Sequence, residues 1–174
     1  MIPIPSPLHP AVVHFPIVLI LIGMVCAVVS VFIQRWHLHL LAAVVLSTAA
    51  VGAVVATVTG GQDEEMAGEL SGPAEHALEE HEQWGERTRN LALVAAAFAI
   101  GAAALSKVRL AGRSLSVITA VVSMAAAYSV AQAGHYGGQL VYRHGLGINT
   151  AGASDGDTGP AETQEWAHGH EDDD

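Results

Sequence analysis

Four long apolar runs constrain the fold of this sequence more than any other feature. They cover about residues 11–33, 40–59, 88–106 and 114–135, and each approaches the roughly 20 residues with which an α-helix crosses a bilayer. Only 14% of the 174 residues are charged, which is low for a soluble domain of this length. The pattern predicts an all-α fold, a four-helix transmembrane bundle, within residues 1–148.

The segments between the runs differ sharply in charge. All acidic residues lie at positions 63–86 or 155–174, and none lies in the two short loops that follow the first and third runs. Those loops carry basic residues, namely Arg35, Lys107, Arg109 and Arg113. Basic short loops mark the cytoplasmic side of a membrane. We therefore expect a multi-pass membrane protein with both termini on the outer side; in a bacterium, these would be the cytoplasmic (inner) membrane and its periplasmic side.

The remaining composition narrows the class of protein. Residues 149–174 are rich in Gly, Ala, Thr and acids, which predicts an acidic disordered tail. No basic cluster is dense enough to bind nucleic acid. Neither a serine nucleophile motif nor a glycine-rich phosphate loop is present, so we do not expect a hydrolytic enzyme. The lone Cys26 lies in an apolar run and is interpreted as a small packing residue.

Eight of the ten histidines fall on the predicted outer side. In the stretch "HPAVVHF", the flanking prolines predict an extended His9 and a bent segment that aims His14 into the bundle; the alternative is that His14 anchors the interface. Helix formers after Pro73 predict a helix that continues into the third span and carries His81. A solvated acidic face is the alternative for His81. His37 and His39, in the first short loop, are expected to be solvated or interfacial.

The fourth span brings further polar groups toward the same end. Tyr128, Gln132 and His135 share one helical face, which predicts that they face the bundle interior or a wet cavity. Small residues in spans two to four favour close helix packing in lipid.

The segment after the fourth span is expected to be a loop. Gly137 and Gly138 are predicted to break the helix, so that "QLVYRHGLG" folds back across the outer mouth of the bundle. Arg143 and His144 would then point inward, and Asp63, just after span two, would be able to pair with Arg143.

These predictions bring His14, His81 and His135 together at the outer end of the bundle. For a cofactor, the candidate binding residues are His14, His81, His135, Arg143 and His144. For a bare metal ion, they are His9, His14, Asp63, His81 and His135. Imidazole is the side chain most readily used as a metal ligand near neutral pH. A purely structural hydrogen-bond network is the alternative.

Four motifs carry a resemblance to a known family. "HPAVVHFPI", "TGGQD", "HEQWGE" and "GHYGGQLVYRHGLG" resemble an uncharacterised family of bacterial four-helix membrane proteins, over residues 8–148. The positions that match its polar motifs are His9, His14, Asp63, His81, His135, Gly137, Gly138, Arg143, His144 and Gly145. Some relatives are linked to c-type cytochrome modules, so the resemblance implies a respiratory or redox setting.

Three functions remain open at this point. The resemblance favours a haem. The sequence lacks the "CxxCH" motif that attaches c-type haem, so the haem would be of b type. A zinc, iron or copper ion bound by histidines and carboxylates is the second possibility. The third is a non-catalytic subunit whose acidic outer side docks a partner, such as a periplasmic cytochrome or a respiratory complex subunit. The expected partners are otherwise the lipid bilayer and a second copy of the chain in a homo-oligomer.

Overall fold

Helices account for nearly all of the structure, which is a computed structural model. It describes the backbone of residues 9–67 and 70–145, with the side chains in these ranges other than residues 10–11 and 62–67. The helices are α1 (His9–Val12), α2 (His14–Phe32), α3 (Trp36–Ala67), α4 (Pro73–Ala104) and α5 (Arg109–Tyr142). The first is a single turn directly ahead of α2. No strand occurs in the described ranges, so the all-α prediction is confirmed.

The four long helices form an antiparallel bundle. Helix α2 packs on α3, α3 on α4, α4 on α5, and α5 returns to pack on α2. Short connections at 33–35 and 105–108 force successive helices to run in opposite directions. We call the end that carries these two connections the loop end. The opposite end, which carries His9, Gly60, His81 and Gly137, is the histidine end.

Small residues fill the interior of the bundle, and large apolar residues face outward. Ile20 and Leu46 are fully buried, and most of the remaining buried core consists of alanines: Ala49, Ala53, Ala92, Ala95, Ala99 and Ala126. Large exposed side chains cover the outside, among them Val25, Phe32, Val51, Val58, Ile100 and Val121. An apolar surface of this kind is unfavourable in water and suits lipid. Side-chain size therefore sorts the inside from the outside, as in membrane bundles.

Three of the four long helices are long and apolar enough to cross a membrane. They are α2, the Trp36–Gly61 part of α3, and α5. The apolar part of α4 runs only from Leu91 to Ala104, which is shorter than the roughly 20 residues of a full span. Its upstream half is polar but helical from Pro73 onward. The predicted continuous helix into the third span is thus confirmed.

Two sequence-based expectations about backbone structure are wrong. Gly137 and Gly138 do not break the last helix, which continues to Tyr142. Leu140 is only 7% exposed, and its burial holds the final turns of α5 against the bundle. The segment 139–142 is therefore helix and not a loop across the outer mouth. His9 is likewise helical in α1 instead of extended.

His39 also differs from its expectation, because it is buried and not solvated. It is 2% exposed in the first turn of α3 at the loop end. Its Nδ1 donates to Ser116 Oγ in α5 at 3.1 Å, and that hydroxyl donates to the Gly112 carbonyl at 2.8 Å. The adjacent His37 is exposed, as expected. Sequence periodicity did not distinguish the two because both precede the apolar run.

The close packing of α2 on α3 yields a first prediction. A Cβ added at Gly23 would lie 2.8 Å from Cγ of the buried Leu46, so Gly23→Ala should force that side chain to move. We expect the thermal midpoint in detergent to fall by roughly 3–8 °C. Gly101→Ala is the matched control, because its Cβ would meet Leu115 Cδ1 at an ordinary 3.4 Å. The idea of a size-sorted core fails if both variants have the same midpoint.

Candidate functional site

The imidazole of His9 bonds to the backbone of the neighbouring helix α3. Its Nδ1 lies 2.8 Å from the carbonyl oxygen of Ala56. The ring lies over Gly60, one helical turn later, where an added Cβ would be 3.2 Å from Nδ1. A carbonyl can only accept, so Nδ1 carries the proton and Nε2 carries the lone pair of the neutral ring.

His81 docks on α5 in the same way. Its Nδ1 lies 2.8 Å from the carbonyl oxygen of Ala133, and its ring lies over Gly137, again one turn later. The neutral ring therefore also carries its lone pair on Nε2. A histidine, a backbone carbonyl and a glycine four residues after that carbonyl thus recur in both halves of the bundle.

The two imidazoles meet at the histidine end. The ring centroids of His9 and His81 are 6.2 Å apart, and the ring planes are 88° to one another. They come from separate helical hairpins, one formed with α3 and the other with α5. The packing of the two hairpins therefore brings two imidazoles together, each with its Nδ1 bonded to a backbone carbonyl.

Two further contacts hold the α4 segment around His81 against α5. Ser129 Oγ donates to the carbonyl of Trp84 at 3.2 Å, one turn beyond His81. The Trp84 ring packs edge-on against Tyr128, with centroids 5.9 Å apart, and its Nε1 donates to Glu80 at 3.1 Å. This tryptophan was not among the predicted site residues, although the "HEQWGE" motif contains it. It acts by fixing the register of α4 on α5.

Burial lowers the pKa of His81 below its ordinary 6.5. The hydrogen bond to Ala133 raises the pKa, and the nearby His9 lowers it further. His81 precedes the apolar part of α4, which begins at Leu91, and so lies outside the membrane-spanning segments. The lowered pKa keeps the ring neutral at pH 7, which preserves the Nε2 lone pair that a metal would need.

The other predicted site residues occupy more open positions. His14 is exposed in the first turn of α2. His135 is exposed, its ring contacts Tyr136, and its Nε2 accepts from Gln139 Nε2 at 2.8 Å. Arg143 is exposed at the end of α5, and His144 is half-buried beside it.

The shared face predicted for span four has a different environment from the one expected. Gln132 Nε2 donates to the Tyr128 hydroxyl at 2.6 Å, so these residues do lie together. Tyr128, however, is 58% exposed and packs on the outer side of Trp84 instead of facing the bundle interior. Asp63 lies in the last turns of α3, and its side chain, with the predicted pairing to Arg143, is outside the described residues, as is the tail 149–174.

The described side chains alone do not form a complete site for a bare metal ion. Among them, no group of three or more His, Cys, Asp and Glu is close enough to hold a metal ion. A structural zinc site usually has four protein ligands, and a catalytic one has three. The His9–His81 pair by itself therefore supplies too few ligands for a bare ion.

The comparisons with known proteins agree with the membrane fold. Residues 5–150 match the family described as "Predicted membrane protein (DUF2231)". No curated protein and no solved structure matches the chain significantly. The match includes all five helices and both docked histidines.

The lowered pKa of His81 yields a second prediction. The unfolded chain binds a proton at His81 near pH 6.5, whereas the folded chain resists it, so stability should fall as the pH drops below that value. We expect a lower thermal midpoint at about pH 5.5 than at about pH 7.5, and a smaller difference in His81→Gln. His76→Gln, an exposed position on the same helix, should keep the full difference. An unchanged difference in His81→Gln would contradict the prediction.

Proposed function

This chain belongs to the Predicted membrane protein (DUF2231) family, and we propose that it is a redox-associated membrane subunit with a haem b site at its histidine end. The observation that carries the proposal is the approach of His9 and His81 to a ring-centroid distance of 6.2 Å. Each imidazole is fixed by its Nδ1 on a backbone carbonyl, so Nε2 is the nitrogen through which it would bind a metal. Ligating histidines characteristically have such a bond from their second nitrogen.

The number of donors favours haem over a bare ion. A haem would need only two ligands from the protein, which His9 and His81 would supply, whereas a bare ion needs three or four protein ligands. His9 and His81, with ring centroids 6.2 Å apart, would hold the haem through their Nε2 atoms. When bound, the haem would supply a one-electron couple at this end of the bundle.

The protein's own groups would tune and orient such a cofactor. The backbone carbonyls of Ala56 and Ala133 make both imidazoles more basic and fix their tautomers. Arg143 and His144 lie at the end of α5 and are the proposed partners of the propionates. His14 and His135 remain alternative ligands at the same end. A zinc, iron or copper ion is the alternative occupant, with Asp63 as a further ligand.

We further propose that the histidine end faces outward from the cytoplasmic membrane. Arg35 and Lys107 lie in the short connections, whereas Arg109 and Arg113, expected in a loop, lie in the first turns of α5; all four are exposed at the loop end. Such residues favour the cytoplasmic side. The site would then exchange electrons with partners outside the cytoplasm.

A second candidate function is the docking of a basic electron-transfer partner. Glu75, Glu79, Glu82 and Glu86 are all exposed and follow a 4-3-4 spacing, so they form one acidic stripe along α4 beside the histidine end. Such a stripe would steer a basic protein, and the binding would weaken as salt is added. In this alternative the His9–His81 pair has a structural role only.

An optical spectrum of the protein purified from membranes tests the haem proposal. We expect a b-type difference spectrum, reduced minus oxidised, after purification or after haemin is added, with about one haem per chain. His9→Ala and His81→Ala should each abolish the signal at unchanged protein yield. Two controls should retain it: His76→Ala, which alters an exposed histidine of α4, and His39→Ala, which alters a buried histidine at the loop end.

Other outcomes of this experiment overturn the haem proposal. A stoichiometric zinc, iron or copper signal that depends on His9 and His81 would establish the bare-ion alternative. Wild-type protein with neither haem nor metal would leave the docking function as the leading candidate, and that function would then be tested by salt-dependent binding of a basic cytochrome.

Cysteine labelling in intact cells tests the proposed orientation. In a Cys26→Ser background, we expect Thr150→Cys to react with a membrane-impermeant maleimide, and Ser106→Cys to react only after permeabilisation. Ser106 lies in the connection between α4 and α5. The reverse labelling pattern would mean that the histidine end faces the cytoplasm.

A further inference from the structure

We infer that Gly60 and Gly137 are positioning residues. Each leaves the space in which one imidazole reaches a backbone carbonyl of the neighbouring helix. The inference deepens the proposed function, because it identifies what holds His9 and His81 in place. It rests on the packing around the two glycines and does not require that a cofactor is bound.

The space above each glycine is filled by one imidazole. Apart from the helix's own backbone, the three described heavy atoms nearest to an added Cβ at Gly60 all belong to His9, at 3.2, 3.3 and 3.8 Å. At Gly137 all three belong to His81, at 3.0, 3.1 and 3.9 Å. Neither glycine therefore serves the approach of two helix backbones. Each makes room for a ring.

The position of each glycine relative to its carbonyl explains the requirement. In an α-helix the carbonyl of residue i accepts the N–H of residue i+4. Gly60 follows Ala56 by four residues, and Gly137 follows Ala133 by four. The histidine approaches the same carbonyl oxygen from the side, across residue i+4. A side chain there would press on Nδ1, the atom that donates the 2.8 Å hydrogen bond.

Helix propensity opposes glycine at both positions. Both lie inside long helices, where glycine is less favourable than alanine. An alanine there would stabilise the helix if nothing lay above it. The neighbouring glycines illustrate that case, because no described atom comes within 4 Å of a Cβ built at Gly61 or Gly138. These two positions provide matched controls one residue away.

A double-mutant cycle on thermal unfolding tests the inference for His9. Gly60→Ala alone should lower the midpoint by roughly 3–10 °C, because it displaces the ring. In a His9→Ala background the same change should leave the midpoint unchanged or raise it, since no ring remains to be displaced. Gly61→Ala should not lower it in either background. An equal loss in both backgrounds would overturn the inference.

The corresponding cycle for His81 uses Gly137→Ala, with Gly138→Ala as its control. If Gly137→Ala is too unstable to purify alone, its recovery in the His81→Ala background supports the inference, and its failure there overturns it. In ¹⁵N-histidine spectra, Gly60→Ala and Gly137→Ala should each remove the Nδ1–H signature of one histidine, whereas the controls keep both. These readouts separate the two proposals: protein without haem can still pass this test, and haem-loaded protein can still fail it.

Discussion

The structure depends on one constraint, the close approach of helices that are surrounded by lipid. Lipid is as apolar as a leucine core, so hydrophobicity does not decide which side chains turn inward. Size decides instead: alanines, glycines and hydroxyl residues line the interior, and large aliphatic residues face outward. Because the side chains between the helices are small, the helix backbones lie close together. Backbone carbonyls then come within reach of side chains on the next helix. The bonds from His9 to Ala56, from His81 to Ala133 and from Ser129 to Trp84 all follow from this approach.

These cross-helix bonds give the histidine end its chemical character. A carbonyl accepts and cannot donate, so it selects one tautomer of each imidazole and turns Nε2 into an acceptor. Burial acts in the same direction at His81, where it lowers the pKa and favours the neutral ring. The packing that stabilises the bundle therefore also brings the His9 and His81 rings together. Their arrangement is a consequence of how the two hairpins pack.

The sequence was sufficient to predict the four long helices, the antiparallel plan and the helix that runs from Pro73 into the third apolar run. The sequence was insufficient where one residue type can have two structural roles, as glycine can end a helix or leave space within one. Gly137 was interpreted as a helix breaker, but in the structure it provides space for His81 within an unbroken helix. Periodicity gives the face of a residue within its own helix but not the rotation of that helix against its neighbours. For that reason His39 was expected in solvent and is buried, and the ring that meets His81 belongs to His9.

The two ends of the bundle differ in how many imidazoles they bring together among the described residues. His39 at the loop end is also buried, and its Nδ1 also donates, but to the hydroxyl of Ser116. Its neighbour His37 is exposed, so a single imidazole is buried at that end among the described residues. At the histidine end, two imidazoles come from different hairpins, and each is held by its own carbonyl and glycine. A centre bound between them would tie the two hairpins together, so its binding would also stabilise the bundle by mass action. The same coupling would make the geometry of each ligand sensitive to the packing of the helix behind it.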